Sequence, residues 1–139
     1  MKKIFALTIS LVLLVSMLAT PLSVRANEIT PRYINTSQAR VLLTIDASGL
    51  ATISVRCYAN NGTTSIQTVT FLEKKVGSTW VRVDIDETDN EWTYTTRYLS
   101  VIKSYKHQLD STGEYRAVTY FTVAASVTEN FTLISSDTY

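Results

Sequence analysis

The sequence predicts an all-β protein, an antiparallel sandwich of about seven strands, preceded by a leader that is removed. Three observations support this. Residues that favour strands are abundant after the leader, with 19 Thr and 8 Tyr. Apolar and polar side chains alternate with the period of a strand, most clearly over residues 51–59. No long helix-period segment follows the leader, and short polar turns separate the apolar runs.

The first residues have the organisation of a secretory signal peptide. Lys2 and Lys3 precede the apolar run Ile4–Ala19, and small residues lead to a cleavage site after Ala26. The run is shorter than the roughly 20 residues that cross a bilayer. We therefore expect residues 1–26 to be cleaved, and residues 27–139 to form one secreted, extracellular domain with no membrane anchor.

Composition limits the partners that the mature chain is expected to bind. Without Lys2, Lys3 and Arg25, 10 basic residues stand against 12 acidic ones, a net charge near −2. Nucleic acid requires a concentrated basic surface, so we expect no nucleic-acid partner. Cys57 is the only cysteine, which excludes an intramolecular disulfide and predicts a buried, inert thiol.

In the first half of the domain, four predicted strands follow one another. Arg40–Asp46 is an apolar run, and residues 51–59 then place Cys57 on their apolar side. An Asn-Asn-Gly turn leads to Ser65–Lys74, whose apolar residues fall on both faces. That strand is either central in a sheet or shifted in phase by a bulge. A short hairpin then leads into Thr79–Ile85.

The second half is predicted to contain three more strands. After a polar loop, Glu91–Ile102 is expected to be one long strand. His107 is expected in the loop that follows. Glu114–Ala124 alternates again, and Glu129–Ser136 is the last predicted strand.

One segment resembles the tyrosine corner of immunoglobulin-like sandwiches. Asp110, Gly113 and Tyr115 stand close to the spacing in which a Tyr near the start of the penultimate strand bonds back to the preceding loop. Cys57 stands where the first cysteine of such domains is found, but Ala117 replaces the second. The resemblance therefore implies an immunoglobulin- or fibronectin-like fold without the disulfide, with Tyr115 and Cys57 in structural roles.

The mature chain also resembles a family of small secreted bacterial proteins of unassigned function. The matching segments are Leu72-Glu-Lys-Lys75, Gly77-Ser-Thr-Trp80-Val-Arg-Val83, Gly113-Glu-Tyr115-Arg116 and the closing stretch from Glu129 to Tyr139. These motifs are short and structural. The resemblance implies a fold and a bacterial, secreted origin, and it carries over no catalytic residue.

Trp92, Tyr94 and Tyr98 form the predicted ligand-binding residues. On one long strand they would share a face, and exposed aromatic rings in a row bind sugars or protein partners. The alternative is that the same rings are buried in the core. The sequence therefore predicts an unidentified protein or carbohydrate partner if this face is exposed.

An acidic stretch offers the one candidate metal site. Asp84, Asp86 and Asp89 supply hard oxygen ligands of the kind that Ca²⁺ prefers. The stretch does not have EF-hand spacing, since Asp89 holds the position at which that loop needs Gly. The alternative is a solvated acidic loop, and no other cofactor is predicted.

No catalytic motif surrounds Cys57 or His107, so the sequence predicts a non-enzymatic protein. The leading hypothesis is a binding or surface-interaction module. Two alternatives stay open, namely a small enzyme or enzyme inhibitor with a site built from loops, and a subunit of an oligomer that pairs through strand edges.

Overall fold

The computed structural model describes residues 33–139, and the predicted signal peptide lies outside the described residues. The described chain consists of strands joined by short turns, with a single 3₁₀ turn at Thr88–Asn90. In chain order the strands are β1 (Thr36–Ile45), β2 (Leu50–Ala59), β3 (Ser65–Val76), β4 (Thr79–Arg82), β5 (Trp92–Thr96), β6 (Ser100–Gln108), β7 (Glu114–Ala124) and β8 (Glu129–Thr138).

The strands form two antiparallel sheets. The three-stranded sheet has the order β1-β2-β6. The five-stranded sheet has the order β4-β3-β7-β8, and β5 also pairs with β3. The predicted all-β antiparallel sandwich is confirmed, with eight strands among the described residues.

The hydrophobic core lies between the sheets. On β2 the residues predicted to face inward do so, and Ile53, Val55 and Cys57 are almost completely buried. Opposite them, β7 contributes Phe121 and Val123. Because each strand has one apolar face, packing the two faces together removes both from water.

The prediction of one long strand over Glu91–Ile102 is wrong. Residues 92–96 pair with β3 in the five-stranded sheet, whereas residues 100–108 pair with β2 in the three-stranded sheet. The chain crosses between sheets at residues 97–99, where the backbone N–H of Tyr98 donates to Thr96 Oγ1 at 3.1 Å. His107, predicted in a loop, lies on β6.

The ambiguous third strand is central, and its paired residues run without a bulge from Ser65 to Lys74. Ile66 and Leu72 face the core. Phe71 faces the opposite side and is still only 3% exposed. Both faces of β3 are therefore covered, which explains why its sequence shows no clean alternation.

β1 and β8 close one side of the sandwich through side-chain-to-backbone hydrogen bonds. The backbone N–H of Leu43 donates to Ser135 Oγ at 3.0 Å, and the N–H of Ile45 donates to Asp137 Oδ2 at 2.7 Å. These bonds satisfy N–H groups of β1 that no neighbouring strand reaches. Inward-facing polar residues of β8 thus protect the edge of the three-stranded sheet.

Tyr115 has the geometry that the sequence predicts for a corner tyrosine. Its side chain is buried, and its hydroxyl donates to the backbone oxygen of Ser111 at 2.6 Å. The bond fixes the loop between β6 and β7 against the start of β7.

Candidate functional site

The three aromatic residues predicted as a binding row do not share one surface. Trp92 and Tyr94 are half-buried at the margin of the core, where the Trp92 ring stacks on Tyr105 with centroids 5.0 Å apart. The ammonium group of Lys103 lies 3.7 Å from the centroid of Tyr94. Tyr98 is 79% exposed and lies between β5 and β6. The prediction that they form one face is wrong, because the strand that was to carry them is two strands.

The acidic loop does not gather its carboxylates into a metal site. Asp84, Asp86 and Asp89 are all exposed. The Oδ1 atom of Asp84 accepts the backbone N–H of Asp86 at 3.2 Å. Within residues 33–139, no three His, Cys, Asp or Glu side chains lie where they could hold a metal ion together. The geometry therefore supports the alternative, a solvated acidic loop.

Cys57 is shielded from reagents and from ionisation. The residue is fully buried on the inner face of β2. Burial raises the pKa of its thiol to about 11, although a hydrogen bond with Thr36 opposes part of this rise. The thiolate is the nucleophile, so a thiol that keeps its proton at neutral pH is unreactive.

The outer surface of the five-stranded sheet carries an apolar cluster that the sequence did not single out. We call it the outer patch, and it consists of Val69, Phe71, Val118, Tyr120 and Ile134. In one row across the sheet, Phe71 is paired with Val118 and Val118 with Ile134. In the next row, Val69 is paired with Tyr120.

The outer patch has a covered base and an exposed rim. Phe71 and Val118 are only 3% and 4% exposed although they face away from the core. Tyr120 is 49% exposed and Ile134 is 54% exposed. The rings of Phe71 and Tyr120 lie 5.5 Å apart, tilted by 54°. Two large apolar side chains are thus held at the surface by residues that are themselves packed.

Ion pairs between β3 and β7 flank the outer patch. Arg116 Nε donates to Glu73 Oε2 at 2.6 Å, and Lys75 Nζ donates to Glu114 Oε2 at 2.7 Å. Because each of these cations has a carboxylate partner, this side of the patch carries little net charge.

Arginine side chains also cover two of the aromatic rings beside these pairs. The guanidinium of Arg82 lies 3.7 Å from the centroid of Phe71. That of Arg116 lies 4.4 Å from the centroid of Trp80. Arginine and aromatic residues are both enriched at protein-binding surfaces.

A weak sequence signal for the outer patch exists. The lack of alternation in Ser65–Lys74 indicates that Val69 and Phe71 need cover on the side opposite Ile66 and Leu72. What the sequence does not contain is the register that brings β7 and β8 alongside.

Two depressions lie outside the outer patch. One, of about 210 Å³, lies beneath the β3–β4 hairpin between Val76, Val81 and Leu109, with Lys74 at its side. The other, of about 110 Å³, lies on the outer face of the three-stranded sheet between Arg40 and Arg56. In the first, Lys74 Nζ donates to Ser111 Oγ at 2.7 Å in an exposed contact.

Comparison with known proteins adds no family to these observations, since neither a protein-family model nor a curated protein matches the chain. Over residues 33–139, no helix has both the length and the apolar character needed to cross a membrane.

Proposed function

We propose that this chain is a secreted, non-enzymatic binding protein that recognises another protein through the outer patch. The observation that carries the proposal is the half-exposed pair Tyr120 and Ile134, fixed on the packed base of Phe71 and Val118. Exposed apolar side chains on a rigid sheet bind a partner with little loss of conformational entropy. Tyr and Arg are also enriched among the residues that dominate protein–protein binding energy.

The arrangement of the rings favours a protein over a carbohydrate. A sugar stacks on an uncovered aromatic face, but the guanidinium of Arg116 already lies over Trp80. Tyr120 stands beside Ile134 rather than in a row of parallel rings. A protein partner would bury the apolar side chain of Ile134 together with Tyr120. A polar glycan would gain little binding energy from contact with Ile134.

Other features support the remaining parts of the proposal. The leader at residues 1–26 supports secretion. The order of the strands and the Tyr115 corner support an immunoglobulin- or fibronectin-like domain, and the short motifs support membership of a small secreted bacterial family. Burial of Cys57 argues against thiol catalysis.

The test compares two variants of the purified protein that carry the same substitution. Tyr120→Ser removes the exposed ring of the outer patch, and Tyr98→Ser removes a more exposed ring from the β5–β6 connection. The wild type and both variants are immobilised and exposed to the secreted proteins of the producing cell, and each is also tested on a glycan array. We expect the wild type and Tyr98→Ser to retain the same protein ligand, and Tyr120→Ser to lose at least about tenfold in affinity.

Thermal unfolding of both variants accompanies the binding assay, because a loss of fold would also abolish binding. Equal loss in Tyr120→Ser and Tyr98→Ser would contradict the assignment of the outer patch. Binding of a glycan that depends on Tyr98 or Trp92 would instead support the surface predicted from the sequence.

A second candidate function, a subunit of an edge-paired oligomer, is favoured by one specific observation. β8 is a long edge strand whose outward-facing residues are all exposed.

A further inference from the structure

The edges of the two sheets differ in how they are protected. β4 and β5 both pair with the same edge of β3, and they form short edge strands of four and five residues. β6 carries Lys103 and Lys106, and charged residues of this kind discourage strand addition. The edge of β1 is closed by side chains of β8. Among the described strands, β8 is the edge that is both long and free of such protection.

The hydrogen bonds at the end of β8 determine which of its backbone groups face outward. Gly113 and Tyr139 exchange two backbone bonds, of 3.1 and 3.0 Å. In an antiparallel pair such bonded residues recur at every second position. The odd-numbered residues of β8 therefore bond to β7, and the even-numbered ones direct their N–H and C=O groups to the free edge. These residues, all exposed, are Asn130, Thr132, Ile134, Ser136 and Thr138.

The charged residues of β8 leave the middle of this edge unprotected. Glu129 turns inward and accepts the backbone N–H of Ile34 and the hydroxyl of Thr36. The Oδ2 atom of Asp137 likewise accepts the N–H of Ile45, while its Oδ1 atom accepts the backbone N–H of Thr138 at the end of the edge, at 2.9 Å. The segment between them, residues 130–136, contains no charge. It also pairs with β7 in one continuous register, so the edge is regular.

We propose that β8 is the self-association edge of this protein, where β8 of a second copy adds antiparallel about a two-fold axis at Ile134. A two-fold axis between two identical strands pairs each residue with a counterpart in the other copy. Centred on Leu133, the pairing would place Glu129 opposite Asp137 of the second copy, and like charges directly opposite are unfavourable. Centred on Ile134, it places Thr132 opposite Ser136 and Asn130 opposite Thr138, with no charged pair facing.

The Ile134-centred register also extends the outer patch. Residues directly opposite in an antiparallel pair share one face of the sheet. Ile134 would therefore contact Ile134 of the second copy on the outer surface. The row Phe71, Val118, Ile134 would then continue through the axis into the same row of the other copy. Half-exposed Ile134 would become buried, which accounts for a large aliphatic side chain at an otherwise polar edge.

Ile134 belongs both to this edge and to the surface proposed above for a protein ligand. The self-association uses the backbone edge of β8 and Ile134, whereas the test of the ligand surface uses Tyr120, so the two proposals can be tested separately. A monomeric protein that still binds its ligand through Tyr120 would overturn the inference and leave the proposed function standing.

The first experiment measures the dissociation constant of the dimer by sedimentation equilibrium in three purified proteins. Ile134→Lys would place two ammonium groups opposite each other at the axis. Ile102→Lys is the matched control, because Ile102 is 61% exposed on the outer face of the other sheet. We expect Ile134→Lys to raise the dissociation constant by about tenfold or more and Ile102→Lys to leave it unchanged.

The second experiment determines the register with a disulfide. Bonded pairs in antiparallel strands have Cα atoms about 5.5 Å apart, within the range of a disulfide. Because Cys57 is buried, Ile134→Cys supplies one accessible thiol per chain, and we expect it to form a covalent dimer under mild oxidation. Thr138→Cys is the control, since two Thr138 residues would lie about 27 Å apart in this register. The Ile134→Cys variant also keeps the test valid if Ile134→Lys does not fold.

Three outcomes would overturn the proposal. One is a wild-type protein that stays monomeric up to about millimolar concentration, where even weak protein association is populated. Another is equal weakening by Ile134→Lys and Ile102→Lys. The third is a covalent dimer that forms as readily through Thr138→Cys as through Ile134→Cys.

Discussion

At the scale of single residues, Cys57 links burial to the pH dependence of stability. Its pKa rises from 9.0 to about 11 on folding because the thiolate would be desolvated. Above pH 9 the unfolded chain loses this proton while the folded chain keeps it. The free energy of unfolding therefore falls as the pH rises from about 9 to about 11.

The prediction is tested by urea unfolding of the wild type and Cys57→Ala between pH 7 and pH 11. Deleting a buried group leaves a small cavity, so Cys57→Ala should be less stable at pH 7. The stability difference should narrow as the pH rises past 9, because the variant lacks the thiol that titrates. Burial, the largest cause, also raises the pKa of Tyr33 and Tyr105 in both proteins, and only the smallest contribution to the Tyr33 pKa, that of Cys57, is lost in the variant. A difference that stays constant to pH 11 would mean that the folded thiol is not shielded.

Single residues were predictable where the chemistry is local. Tyr115 bonds to a residue four positions earlier, so sequence spacing alone contains that geometry. Cys57 follows two apolar positions of a clear alternation, and its burial follows from that pattern. The exposure of Tyr98 was not predicted, since it depends on a change of sheet between residues 96 and 100 rather than on the alternation within one strand.

At the scale of elements, the edge of β1 depends on hydroxyl and carboxylate groups supplied by β8. Ser135→Ala would remove the acceptor of the Leu43 N–H and leave that donor unpaired in a partly buried position. We expect a loss of about 1 to 2 kcal/mol in the free energy of unfolding, measured by urea denaturation.

Ser136→Ala is the control for this prediction. Ser136 is the next residue along β8, and it is exposed on the outer face. The substitution changes the same atoms and the same intrinsic strand propensity, and we expect an effect within about 0.5 kcal/mol of zero. Equal stability of the two variants would show that water satisfies the Leu43 N–H as well as Ser135 does.

The elements themselves were mostly predictable, and the exception has a physical cause. Apolar alternation reports which side chains face one direction, but it does not report which strand lies alongside. In the segment from Trp92 to Ile102 the aromatic residues occupy even positions and Leu99 and Val101 odd ones, and β5 and β6 belong to different sheets. The bend at residues 97–99 contains no Gly or Pro that would mark it in the sequence, and it is held by the bond from the Tyr98 N–H to Thr96 Oγ1 and by the bond from the Ala59 N–H to the Leu99 oxygen.

At the scale of the whole molecule, sequence patterns identified the sandwich but not its surfaces. The outer patch combines residues from β3, β7 and β8, which are distant in the chain and adjacent only through register. The stack of Trp92 on Tyr105 likewise joins the two sheets. Such contacts are set by strand pairing between distant segments, so the pattern of residues along the sequence does not predict them.

The contact between the sheets also leaves two buried hydroxyl groups, those of Thr68 and Tyr105, without a hydrogen bond. Thr68 on β3 is fully buried, and its Oγ1 atom has no hydrogen-bond partner among the described residues. Burial raises the pKa of Tyr105 on β6, and the nearby Thr68 hydroxyl opposes part of this rise. The geometry between the two hydroxyl groups nevertheless falls short of a hydrogen bond. Two positions along the same strand, the equally buried hydroxyl of Thr70 is paired with that of Thr119 at 3.0 Å.

This contrast predicts opposite effects for the same substitution on one strand. Thr68→Val removes an unpaired buried hydroxyl and should raise the free energy of unfolding by about 1 kcal/mol, because folding no longer has to desolvate that group. Thr70→Val leaves Thr119 without its partner and should lower it by about 1 to 3 kcal/mol. Urea unfolding at pH 7 measures both values. A loss of stability in Thr68→Val comparable to that in Thr70→Val would mean that a buried water bridges Thr68 and Tyr105, and that polar contacts join the two sheets at this point.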